Sequence, residues 1–172
     1  MKKFLLSILF LIPLSGFAQK GMQGVGVNLG FGFSFEEIVD WEGFASDFII
    51  KYQKNLTDKF RFVSTLGLYD VEVVEYDFDQ DDYFGRTETC CFLSIEGDYF
   101  LNDVRRLRPY VIGGVILGHC DDPYSELGGG VKLGLGLDFR LGYHFTTQLE
   151  LPFCIMYPRA CFIPSLGLVY TF

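Results

Sequence analysis

From Gly24 to Phe35 bulky apolar residues alternate one for one with small or polar ones. Val25, Val27, Leu29, Phe31, Phe33 and Phe35 stand at odd positions, against Gly24, Gly26, Asn28, Gly30, Gly32 and Ser34 at even ones. Only a β-strand separates two such sets onto opposite faces. The same period of two recurs over residues 44–53, 59–70, 87–101, 131–140, 145–155 and 162–172. Residues 109–118 (PYVIGGVILG) also read as a strand, but both of its faces are apolar and its facing stays open.

This gives eight strands of about ten residues, the length a tilted strand needs to cross a bilayer. The connections alternate in length. Those at 54–59, 102–107 and 141–144 are short, those at 36–43 and 71–86 are longer, 119–130 is of middling length and 157–161 is brief. The chain is 49% hydrophobic with 20 glycines. Past residue 18 it has no apolar run of the roughly 20 residues that a spanning helix takes. A soluble barrel would point its apolar face inward. Here the small face is rich in glycine, which weakens a water-facing strand but suits a narrow lumen. The bulky face is therefore assigned to lipid, with Phe and Tyr near its ends, and the first and last strands are expected to pair so that no edge is left open.

Residues 1–18 (MKKFLLSILFLIPLSGFA) have a basic start, a short apolar stretch and a small-residue end, the pattern of a cleaved export signal. Residues 19–172 then form one domain. Removing Lys2 and Lys3 leaves 12 basic and 22 acidic residues, a net charge of −10. That excludes nucleic acid as a partner, because phosphate binding needs a basic face.

Three stretches carry a family resemblance: Tyr99–Leu117, Leu133–Phe145 and the ending Leu166-Gly-Leu-Val-Tyr-Thr-Phe172. With them the chain resembles the small eight-stranded outer-membrane β-barrels, the OmpA-like or porin-family β-barrel domain. The resemblance implies an all-β, up-and-down antiparallel barrel in a bacterial outer membrane, with termini on the periplasmic side. In that family an alternating apolar ending with a terminal Phe is read by the outer-membrane insertion machinery. Leu166, Leu168, Tyr170 and Phe172 match it. Outer-membrane lipid is the expected surrounding, the chain is expected to be monomeric, and no cofactor is implied. The family does not fix an activity. A non-enzymatic structural or surface-interaction protein with a plugged lumen leads, with an unidentified extracellular ligand. A narrow pore for ions or small solutes and a lipid-modifying enzyme are the alternatives.

The small face places Asp47, Lys51, Arg61, Glu88, Glu96, Asp98, Lys132, Asp138, Arg140, Gln148 and Glu150 in the lumen. Ions of both signs in a narrow dry space must pair, since an unpaired one costs several kcal/mol. The result is a salt-bridged plug or, failing that, a gated ion path. Asp77, Asp79, Asp81 and Glu88 match positions one, three, five and twelve of a calcium loop, but Asp82 stands where a glycine is needed. A looser divalent-cation site or a solvated acidic loop fits the same residues.

All five cysteines fall on the loop side. Pairing about the 102–107 turn brings Cys90 or Cys91 near Cys120, and pairing about the last loop brings Cys154 near Cys161. Two disulfides with one thiol over are expected. His119 beside Cys120 is a weak zinc candidate. His119 with Asp121, Asp122, Ser125 and Glu126 is the only group from which a hydrolase triad could be drawn. Lys54, Lys59, Arg105, Arg106 and Arg108 collect at the short turns, where they face anionic lipid phosphates, periplasmic polymer or solvent.

Overall fold

In a computed structural model the chain is a closed antiparallel β-barrel; the structure describes residues 21–36, 40–77, 82–102, 106–120, 128–156 and 159–172. The expected leader lies outside the described residues. Seven strands, β1 (Gln23–Glu36), β2 (Asp40–Asn55), β3 (Phe60–Asp77), β4 (Asp82–Phe100), β5 (Leu107–Cys120), β6 (Gly128–Arg140) and β7 (Phe145–Met156), each pair with the next. The eighth stave comes in two pieces, β8 (Arg159–Phe162) and β9 (Ser165–Thr171). Each pairs with β7 on one side and β1 on the other, which closes the barrel.

One continuous last strand is the expectation from sequence. It breaks at Ile163–Pro164, because proline has no N–H to give to a ladder. The backbone compensates locally: the Pro164 carbonyl accepts the Phe31 N–H and the Pro152 carbonyl accepts the Ile163 N–H.

The alternation sorts as expected. Leu29, Phe31, Leu68, Leu133, Leu135 and Leu166 are all at least half exposed on the outer wall, while Asn28, Thr65, Ser94 and Gln148 are buried inside. Strand β5 is settled by the structure. Arg108, Tyr110, Ile112 and Ile116 point inward, and Val111, Val115 and Leu117 point out. Lumen glycines make room for such bulky neighbours. Gly136 is the register partner of Tyr110, and a Cβ there would lie 2.1 Å from the tyrosine Cζ. Gly167 is packed the same way against Asn28 Oδ1, at 1.9 Å.

The two longer connections are mostly strand. The β3–β4 ladder runs on to Asp77 opposite Asp82, and the β1–β2 ladder to Glu36 opposite Asp40, with a register shift at Ser34/Phe35. Beyond the bilayer a hairpin needs no lipid-facing side chains, so its acidic sequence reads as a loop although its backbone stays paired.

Candidate functional site

The lumen has three layers. At the short-turn end Arg108 lies over the Phe100 ring at 3.7 Å and donates to the Asp58 carbonyl. Phe100 meets Tyr110 edge to face at 5.5 Å. The Arg61 guanidinium sits 4.5 Å from the centre of Tyr110 and 4.9 Å from that of Phe100, within cation–π range.

The middle layer is a continuous polar network. Arg61 bonds Asp98 through Nε at 2.8 Å and Asp138 through a terminal nitrogen at 2.7 Å. Asp138 also accepts from Gln148 at 2.9 Å, and Gln148 donates to Gln53 at 3.2 Å. Lys51 donates to Gln148 at 3.0 Å and to Glu150 at 2.7 Å. The same Glu150 oxygen accepts from Tyr110 at 2.7 Å, and its other oxygen accepts from Asn28 at 3.0 Å. Asn28 reaches Ser165 at 3.4 Å. These residues come from all eight staves, so one hydrogen-bonded set ties the whole circumference together.

Above it, Lys132 pairs with Glu96 at 2.9 Å, and Glu96, Ser94 and Thr65 are hydrogen-bonded to one another. Asp47, over Gly30, is buried with one oxygen unpartnered.

The loop-side layer is apolar. Ile49, Tyr69, Phe92, Ile116, Met156 and Ile163 belong to one buried cluster. A cavity of about 30 Å³ lies among them, with Asp47, Lys132 and Cys154 also on its wall.

The structure therefore brings Lys51, Arg61, Asp98, Asp138 and Glu150 into one network and Glu96 with Lys132 into a second patch. Arg140, expected among them, is half-buried at the turn end and takes no part in either. Glu88 is buried at the loop side. Arg108, expected at the turn surface, is instead buried over Phe100, and Tyr110, Asn28 and Gln53 are network residues that the sequence reading leaves out. The glycine facing Tyr110 was the available signal for that residue.

The calcium-loop reading needs correction. Asp77 is opposite Asp82, and Glu88 is opposite Val71, six rungs further along the ladder. At about 3.4 Å per residue that is roughly 20 Å, too far for one ion to hold both. Asp79 and Asp81 lie outside the described residues. Among the described residues no group of three His, Cys, Asp or Glu is placed to hold a metal. The second expected disulfide is also absent. Cys90 is disulfide-bonded and stands opposite Cys120, whereas Cys154 and Cys161 stand opposite each other with no disulfide between them, and Cys91 is in no disulfide either. His119 is on the outer side of β5, and the acids and serine of the drawn triad lie outside the described residues.

Tyr110→Phe tests an uncharged member of the network. It keeps the ring packing and removes one donor to a carboxylate that retains Lys51. A loss of about 1.5 kcal/mol is expected, read as a lower urea midpoint for unfolding in detergent micelles.

No protein-family model and no curated protein matches the chain. Solved structures do. Neisserial surface protein A aligns with a TM-score of 0.65 at 10% identity, over 90% of this chain and 100% of that one. The attachment invasion locus protein Ail of Yersinia pestis, in complex with the heparin analogue sucrose octasulfate, aligns with a TM-score of 0.61 at 12% identity, over the same shares. The N-terminal β-barrel domain of Pseudomonas aeruginosa OprF aligns at 0.56 and 18%, over 89% of this chain and all of that one. Fold, outer belt and lumen together define a small eight-stranded transmembrane β-barrel of the outer-membrane type.

Proposed function

We propose that the protein is a non-enzymatic component of a bacterial outer membrane, with a closed lumen, that acts as a structural or surface-interaction protein. The observation that carries the reading is the hydrogen-bonded set spanning all eight staves, capped by an aromatic–arginine layer below and an apolar layer above. An eight-stranded interior is just wide enough for side chains to fill, and these fill it. Among the described residues the loop-side cluster is apolar and the turn end is closed by Phe100, Tyr110 and Arg108, which supports a lumen closed to ions.

The surface role is supported by the β3–β4 hairpin, which carries Asp70, Glu72, Glu75, Asp77, Asp79, Asp81, Asp82 and Glu88 against Arg86 alone. Ail was crystallised with a polyanion. The hairpin here is itself anionic and fits a cationic partner instead. The pore reading is separated by planar-bilayer recording. The wild-type protein is expected to give no single-channel steps at physiological salt, and ohmic steps would overturn the plug.

A further inference from the structure

At the turn end of the lumen the contact between β5 and β6 finishes on two arginines. The Arg140 N–H donates to the Arg106 carbonyl at 3.0 Å, so the two stand opposite each other on neighbouring staves. Arg140 continues the lumen-facing set of Lys132 and Asp138 on β6. Arg106 stands two residues before the buried Arg108, at the bend that leads into β5, and is itself exposed. Like charges directly opposed across a ladder repel. Among the described residues neither arginine has an ion pair or a side-chain hydrogen bond. Asp138, one lumen-facing position deeper, already accepts from Arg61 and Gln148. A third polar group stands across the next ladder. Thr146 of β7 is the register partner of Arg140. It belongs to the lumen-facing set of Gln148 and Glu150 and is 8% exposed, and its hydroxyl has no partner among the described residues.

We propose that Arg106, Arg140 and Thr146 form a site for a soluble phosphate-type oxyanion at the turn-end mouth of the barrel. A guanidinium presents its N–H donors in a planar fork that matches two oxygens of a phosphate. Two forks on adjacent staves surround such an anion with charged donors, and the Thr146 hydroxyl adds a neutral one. The bound anion offsets the repulsion that the opposed arginines leave uncompensated. The face they occupy selects the source of the phosphate. The outer wall at this height carries Leu107, Phe139 and Phe145, exposed and apolar, and meets lipid. Arg140 and Thr146 are on the opposite face, so a headgroup phosphate anchored in the bilayer is on the wrong side of the wall. The ligand is a freely diffusing phosphate or phosphate monoester. Arg108 over Phe100 closes the lumen above, which makes the mouth a blind cup and requires no conducting pore.

The test titrates inorganic phosphate into the full folded barrel in dodecyl maltoside micelles at constant ionic strength. Arginine Nε–H resonances are read by NMR and assigned from single Arg→Lys variants. Saturable shifts are expected at Arg106 and Arg140 with phosphate and not with chloride. Arg140→Gln is expected to weaken phosphate binding about tenfold or more, the loss of one charge-assisted pair. Arg140→Lys keeps the charge without the fork and is expected to weaken it several-fold. Thr146→Val, which removes the hydroxyl alone, is expected to weaken it about threefold. Lys59→Gln, at an exposed position in a neighbouring turn, removes the same charge and is expected to leave the affinity unchanged. The compact unboiled band shows that each variant is folded. Should Arg140→Gln not give that band, Arg106→Gln at its exposed position carries the same expectation. A second arm replaces phosphate with short-chain phosphatidylglycerol in mixed micelles. A linear, unsaturated response to phosphate, an equal response to chloride, or a loss in Lys59→Gln as large as in the arginine variants would overturn the proposal. So would saturation by phosphatidylglycerol with no response to inorganic phosphate.

Discussion

Arg61→Ala is expected to cost about 3–5 kcal/mol of stability, because it leaves two buried carboxylates without their cation. Arg61 is 1% exposed and is the only cation bonded to Asp98 and Asp138 in the network. Its guanidinium also fills the space between Phe100 and Tyr110, so the variant loses packing as well as charge. The two contributions separate in a triple variant, Arg61→Met with Asp98→Asn and Asp138→Asn. There no charge is stranded, and a volume-matched apolar replacement of a buried ionic group is often neutral. Most of the lost stability should return. Urea unfolding in micelles, followed by loss of the compact unboiled band, measures both. A single variant as stable as the wild type would mean that Arg61 is not the centre of the plug.

The second large effect is on the outer wall. Leu135 lies mid-strand on β6 between Val111 and Leu151, with 56% of its surface exposed. If that surface is lipid, Leu135→Arg costs about 2–4 kcal/mol in bilayers. If it were water, the change would stay within about 0.5 kcal/mol. Folding of the variant into vesicles of defined acyl thickness, scored as the fraction that reaches the compact band, distinguishes the two. The same substitution at Leu141, 59% exposed in the short turn after β6, serves as the interfacial control and should cost roughly 0–1 kcal/mol.

Much of this architecture is legible in residue order alone, because a sheet with lipid on one side and a packed lumen on the other forces a period of two. Val25 to Phe35 and Val131 to Phe139 carry that period without a break, and both fall as expected. Strand β5 does not carry it. Tyr110, Ile112 and Ile116 are as apolar as Val111, Val115 and Leu117, and what turns the first set inward is space on other strands, at Gly136 and its neighbours. The same is true of the apolar loop-side layer. Ile49 and Phe92 are inward residues of β2 and β4, Ile163 stands at the break in the eighth stave, and only the register assembles them. The long ends of β3 and β4 were hidden for the opposite reason. Past the membrane their alternation has no lipid to answer to, and the acids of 70–82 look like a loop. The partners of Arg61 were legible as lumen charges but not as partners, since pairing depends on height in the barrel rather than on spacing in the chain.

The account's central claim is that the bulky face meets lipid and that the opposite face encloses no water path. It is tested most directly on the wild-type protein in bilayers by solid-state NMR, with polarisation passed separately from acyl-chain protons and from water protons. The account expects acyl-chain transfer to reach Leu133, Leu135, Leu149, Leu151, Leu166 and Leu168. It expects neither source to reach Asn28, Thr65, Ser94 and Gln148 quickly. Fast water transfer to Thr65, Ser94 and Gln148 would contradict the closed lumen, and fast water transfer to Leu133 and Leu135 would contradict the membrane-facing wall.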